Sequence, residues 1–89
     1  MAIGLLHALK NNRIHVPDRV SIVGFDNIDM AGIVSPGLTT VNVPKGKLAE
    51  LCINQIQYLL SNQETFVGVK SFVSVNLIER QTTKKLLNV

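Results

Sequence analysis

Few side chains in this 89-residue sequence are placed to do chemistry, and the best placed is Asp26. It follows residues 20–25, Val-Ser-Ile-Val-Gly-Phe, a run that is apolar apart from two small residues. A run of that kind suits a strand covered on both faces, as in a parallel α/β sheet. In such sheets, ligands bind in the crevice beyond the carboxyl ends of the strands. A carboxylate there can accept two hydrogen bonds, from neighbouring hydroxyls or from N–H groups. The same side chain could instead close an Asx turn onto the backbone that follows. Asp29 is better suited to capping a short helical turn within residues 27–34 than to chemistry.

The remaining candidates argue against catalysis. Gly32 and Gly37 are not followed by the Lys-Ser/Thr of a phosphate loop, and the serines lack a nucleophile-elbow context. His7 lies in a helical pattern with no second His or acid at i+4, and His15 falls in a loop. Asp26 and Asp29 alone make a poor cation site, so no metal is expected. No cofactor-binding motif is present either. Cys52 is the only cysteine, which excludes an intramolecular disulfide and predicts a buried, inert thiol.

Composition narrows the class further. The chain is 46% apolar and 17% charged, which is globular rather than disordered. Its net charge of +3 is spread without a basic stripe, and three Phe, one Tyr and no Trp offer no stacking platform for nucleic acid. No apolar segment approaches the roughly 18–20 residues of a membrane span. No secretory leader opens the chain, so a cytoplasmic protein with no membrane partner is expected.

Around Asp26 the elements read as follows. Residues 1–12 predict a helix with Ala2, Leu5, Leu6 and Leu9 on its apolar side. The strand at 20–25 comes next, and Ser35-Pro36-Gly37 signals a turn. Residues 38–43 form a short β-branched strand closed by Pro44. Residues 45–60 predict a second helix with an apolar stripe of Ala49, Cys52, Ile53, Ile56, Leu59 and Leu60. Residues 71–80 alternate as a strand nearer a sheet edge, and a mixed tail follows.

Three blocks, MAIGLLHALKNNRIHVPDRVSIVGFDNI, PGLTTVNVPKGKLAE and LIERQTT, resemble in order and spacing the C-terminal end of the lactose-repressor (LacI/GalR) family of bacterial transcription regulators. The resemblance implies a partial periplasmic-binding-protein-like fold of the α/β class, a parallel-sheet sandwich in which two subdomains hold an effector between them. By that pattern residues 1–41 belong to the C-terminal effector-binding subdomain. Residues 42–70 carry the hinge crossings, near Asn42-Val43 and Val69-Lys70, and one helix of the N-terminal subdomain. Residues 71–80 return as a strand of the C-terminal subdomain, and 81–89 form a tail.

Asp26 matches the family's effector-contacting acid in its Gly-aromatic-Asp block, with Asn27 and Lys45 as weaker candidates. The resemblance places a homodimer contact on the face with Ile3 and Leu6 and on the turn at Val34. It implies a small-molecule effector, expected to be a carbohydrate. Operator DNA would be read only through an N-terminal helix-turn-helix head that these residues do not include. Met1 coincides with the Met of the family's own block, so the chain is expected to be the tail of a longer reading frame. Departures occur as well. Asn27 stands where a second Asp is common, Gly37 where a second Pro is, Val43 where Gln is, Lys45 where an aromatic is, and Ala49 where Gly is. Two other readings remain. One is a periplasmic-type sugar-binding protein on the same fold. The other is a free-standing α/β module with Asp26 as phosphoacceptor, which lacks the acidic cluster such chemistry needs.

Overall fold

The computed structural model describes residues 1–65 and 67–87, so residue 66 and the end of the tail expected at 81–89 lie outside the described residues. The chain divides into two compact units. One is Met1–Asn42 together with the stretch from Asn76 onward; the other is Val43–Val75.

The first unit contains α1 (Ala2–Asn11), β1 (Val23–Phe25), α2 (Met30–Ile33), β2 (Thr39–Asn42) and β3 (Asn76–Ile78). The sheet runs β1-β2-β3. β1 and β2 are parallel, with Val23 opposite Thr39, and β3 joins antiparallel, with Asn42 opposite Asn76. The sheet is therefore mixed rather than wholly parallel.

Leu6, Ile22, Ala31 and Leu38 form the core, with Ala2, Ile3, Leu9, Val16 and Val34 packed around them. Around α1, Leu5 sits about 100° from Leu6. That rotation leaves Leu5 exposed, and Ile3 takes the core-side place expected of it. Gly24 sits where α1 and Leu38 crowd β1. A Cβ there would come within 2.9 Å of Leu38 Cδ2 and 3.3 Å of the Ala2 Cβ.

The strand expected over residues 20–25 is shorter and covered on one face only. Ile22 and Gly24 point to the core side, whereas Val23 and Phe25, on the other side of the pleat, are 55% and 65% exposed. The expected cap also differs, because Asp29 precedes α2 but makes no side-chain hydrogen bond to the helix. Asp29 itself already has helical φ and ψ, whereas a capping residue takes an extended conformation.

Apolar burial is not all that closes this unit. Thr82, the most buried polar residue, donates its hydroxyl to the Ile22 carbonyl at 2.7 Å and accepts the Thr39 N–H at 2.9 Å. The Ile22 N–H in turn donates to the Thr82 carbonyl. Gln81 and Gly37 exchange two bonds: Gln81 N–H to the Gly37 carbonyl, and Gly37 N–H to Gln81 Oε1. Thr39 Oγ1 pairs with Thr83 Oγ1 and accepts the Arg80 N–H.

The second unit is built on α3 (Lys45–Ser61), which starts after Pro44. Tyr58 and Leu59 carbonyls accept the side-chain and backbone N–H groups of Asn62 at its end. No residue of α3 is buried, and Cys52 is exposed, contrary to the buried thiol expected. The period of the stripe is helical as predicted, but among the described residues of this unit no other helix or strand lies over it. The segment before β3 is not a strand as far as Val75, and Phe72 and Val75 are exposed.

Replacing Thr82 with Val keeps the side-chain shape but leaves the Ile22 carbonyl and Thr39 N–H without their partner. Thermal or urea unfolding should show a loss of about 2–4 kcal/mol, while Thr82→Ser, which keeps the hydroxyl, should lose about 1 kcal/mol.

Candidate functional site

β1 ends at Phe25, and the next two residues both adopt left-handed backbone, Asp26 at φ 85° and Asn27 at φ 50°. Consecutive positive φ values at non-glycine residues are uncommon, and Asp and Asn are the types that tolerate them best. Such a turn persists when its surroundings hold it, and the holding groups are on Asn27. Its backbone N–H donates to Thr40 Oγ1 at 3.2 Å, and its Nδ2 donates to Asn42 Oδ1 at 3.0 Å. Its Oδ1 accepts from Arg80 Nη2 at 2.8 Å. Thr40 and Asn42 lie on one face of β2, so Asn27 grips that face twice.

Arg80 reaches this turn from the far end of the sequence. Its Nη1 donates to the Leu38 carbonyl at 2.7 Å. Its side chain lies against Gly32 and Gly37, at whose positions a Cβ would stand 3.8 Å from Nη2 and 3.4 Å from Cδ. The planar guanidinium thus bridges two acceptors set by different elements, which its fork geometry suits.

With Asn27 anchored, Asp26 is left exposed at the carboxyl end of β1. It lines a recess of about 740 Å³ with Phe25, Ile28, Thr40 and Val41, walled on the α1 side by Ala2 and Leu5. The walls are largely apolar, so Asp26 supplies a directional acceptor at an otherwise greasy rim. A site of this make-up can orient a hydroxylated or N–H-bearing ligand; nothing in it activates a nucleophile.

The other sequence candidates fall elsewhere. Lys45 opens α3 in the second unit. Asn42 closes β2 at the edge of the first unit, and Val43 begins the second. Val69 and Lys70 lie inside the second unit, whose later boundary falls between Val75 and Asn76. Ile3, Leu6 and Val34 line another recess of about 680 Å³, rimmed by His7, Lys10, Arg13 and His15. Leu6 is 6% exposed and mostly committed to the core, so Ile3 and Val34 carry the accessible part of that face. Among the described residues no three His, Cys, Asp or Glu side chains cluster to hold a metal ion, and no helix is long and apolar enough to cross a membrane.

Arg80, Asn42 and Asn76 were not legible as members of this turn's support. Their partners lie far away in sequence, and a long-range polar contact leaves no periodic trace. The local signal is the polar run Glu79-Arg80-Gln81-Thr82-Thr83 directly after a strand, within the LIERQTT block.

Residues 1–83 match the family model of the periplasmic binding protein-like domain. The HTH-type transcriptional repressor PurR of Vibrio parahaemolyticus is 38% identical over 88 residues, 97% of this chain and 25% of that protein. The ribose operon repressor of Escherichia coli K12 is 39% identical over 80 residues, 90% of this chain and 24% of that protein. A solved LacI family transcriptional regulator from Enterococcus faecalis V583, with bound ribose, is 32% identical with a TM-score of 0.82. The match covers 96% of this chain and 32% of that structure. The chain thus spans about a quarter of the length of these curated relatives.

Arg80→Lys should expose how much the fork matters, since one ammonium cannot hold both the Leu38 carbonyl and Asn27 Oδ1. Unfolding experiments should show a loss of about 2 kcal/mol despite the unchanged charge.

Proposed function

The chain belongs to the family of periplasmic binding protein-like domains, and from that premise we propose that it is the effector-binding and dimerisation portion of a LacI-type transcriptional repressor. The mixed α/β fold and the regulators among its relatives support the reading. Operator DNA is read by a helix-turn-helix head outside these 89 residues, and the protein acts in the cytoplasm, where that DNA is. It acts as a regulator, a reading supported by the transcriptional repressors among its relatives.

The observation that carries the proposal is the position of Asp26. It stands exposed where β1 ends, on a left-handed turn secured by Asn27. In this role Asp26 accepts hydrogen bonds from vicinal hydroxyls of a sugar or sugar derivative. Asn27 supports it by holding Arg80 and Asn42, and the second lone pair of its Oδ1 and second hydrogen of its Nδ2 leave it a weaker contact to the ligand. The ribose bound by the Enterococcus faecalis regulator makes D-ribose the first ligand to try. Effector binding biases one arrangement of the repressor over another, a coupling of ordinary size for allosteric proteins at about 1–3 kcal/mol. Residues 42–43 are one proposed hinge crossing; the other is taken at residues 75–76, where the chain re-enters the first unit, rather than at the 69–70 that the resemblance implies. Lys45 is a secondary contact from the second unit.

Asp26→Asn preserves size and tolerance of positive φ but removes the charge. In the protein as its own gene encodes it, calorimetric titration with D-ribose should show affinity reduced by about one order of magnitude, with the unfolding midpoint nearly unchanged. Unchanged affinity would remove Asp26 from the effector site.

The dimer contact is proposed on the α1 face at Ile3 and the turn at Val34. Ile3→Lys adds a charge beside Lys10 and Arg13, which repeats across any two-fold contact. Sedimentation at micromolar concentration should show a dimer that this variant converts largely to monomer; a wild-type monomer would sink the assignment.

A further inference from the structure

Four side chains of the first unit join head to tail. Arg80 Nη2 donates to Asn27 Oδ1 at 2.8 Å, Asn27 Nδ2 donates to Asn42 Oδ1 at 3.0 Å, and Asn42 Nδ2 donates to Asn76 Oδ1 at 3.3 Å. The direction of this relay is set by its first member. A guanidinium can only donate, so Asn27 must turn its carbonyl towards Arg80 and its NH₂ towards Asn42. Asn42 must then present its carbonyl to Asn27 and its NH₂ to Asn76. All three amide dipoles align with the charge, an arrangement in which each bond polarises the next.

The places the relay joins are what give it meaning. Asn27 anchors the turn that carries Asp26. Asn42 is the last residue of the first unit before the chain leaves it, and Asn76 is the first after the chain returns. The two are directly opposed in the β2–β3 register. One continuous polar path therefore runs from the Asp26 turn to both points where the chain crosses out of this unit.

We infer that Asn42 is a positioning residue whose amide couples the Asp26 turn to the paired crossings at Asn42 and Asn76, so that order at one is transmitted to the other. The regulatory meaning of this coupling rests on the reading of Asp26 as an effector contact. The coupling itself does not depend on a ligand. A ligand that tightens the turn tightens the crossings, and a loosened crossing loosens the turn.

The test is amide hydrogen exchange by NMR, without ligand, on the protein as its own gene encodes it. The reporter is the backbone N–H of Asn27, which donates to Thr40 Oγ1, and whose side chain is joined to that of Asn76 through Asn42. The N–H of Ile22, bonded to the Thr82 carbonyl in the core, reports global stability in the same spectra. Asn76→Ala, at an exposed edge position, should speed exchange at Asn27 about tenfold while Ile22 is unchanged. Asn76→Asp, which keeps the acceptor and adds a charge opposite in sign to Arg80, should hold Asn27 at or below its wild-type rate. In an Asn42→Ala background, Asn76→Ala should add nothing at Asn27.

If Asn76→Ala leaves Asn27 unaltered, or acts equally with and without Asn42, the coupling is overturned. Failure of the effector reading would look different, since Asp26→Asn would then leave D-ribose binding intact whatever the exchange pattern.

Discussion

The hydroxyl of Thr82 is the constraint on which the first unit depends. It lies fully buried between β1 and β2, donating to the Ile22 carbonyl and accepting the Thr39 N–H. Buried polar groups of this kind are costly when unpaired, so neither strand can shift without releasing a donor or an acceptor into an apolar interior. The effect reaches the candidate site through short, stiff connections. Ile22 is fixed by Thr82, β1 runs straight from it to Phe25, and Asp26 follows. Two residues before Thr82, Arg80 clamps Leu38 and Asn27. The polar block after β3 thus sets both where β1 ends and how the chain turns there. Apolar packing alone would not do this, because the buried apolar side chains of this unit are few, namely Leu6, Ile22, Ala31 and Leu38.

The sequence made periodic features plain and long-range polar ones invisible. Helical spacing located α1 and α3 to within a residue or two, and the apolar run with its abrupt end at Asp26 located β1 and the turn beyond it. Period, however, reports which face of an element is apolar and says nothing of what lies over it. Taken as a sign of burial, period alone implies cover over the stripe of α3 and the outer face of β1, whereas Ile53, Ile56, Leu60, Val23 and Phe25 are exposed. Cys52 follows from the same error. Asp29 departs from expectation for a different reason. Its residue type favours capping, but in a helix of four residues the local backbone, already helical at Asp29, decided against it.

Within the candidate site, Asp26 was legible because strand-end position is a local property. Its supports were not. Thr82 and Ile22 stand sixty positions apart, and Arg80 and Asn27 fifty-three. Nothing in the spacing of such residues distinguishes a buried hydroxyl from one on the surface. The recurrence of Thr at positions 39, 40, 82 and 83 was visible, but its most direct reading was β propensity. In the folded chain three of these hydroxyls instead serve as acceptors for backbone N–H groups: Thr82 for Thr39, Thr39 for Arg80 and Thr40 for Asn27.

The residue at position 27 brings these strands of argument together. The resemblance of the Gly-Phe-Asp block implies a second Asp there, and this chain carries Asn. An Asp would accept from Arg80 and from Asn42 alike, since a carboxylate has no hydrogen to give. Asn42 would then have to turn its NH₂ inward and present its carbonyl to Asn76, and Asn76 would have to turn in its own right. The polarity of the relay beyond position 27 would reverse, and its dipoles would oppose rather than extend the field of Arg80. Asn27 is the residue that keeps one direction throughout: it accepts on the side of the charge and donates on the side of the crossings. The orientations of the amides at 27, 42 and 76 are therefore set together rather than separately, and the turn bearing Asp26 is held at the residue where that common direction begins.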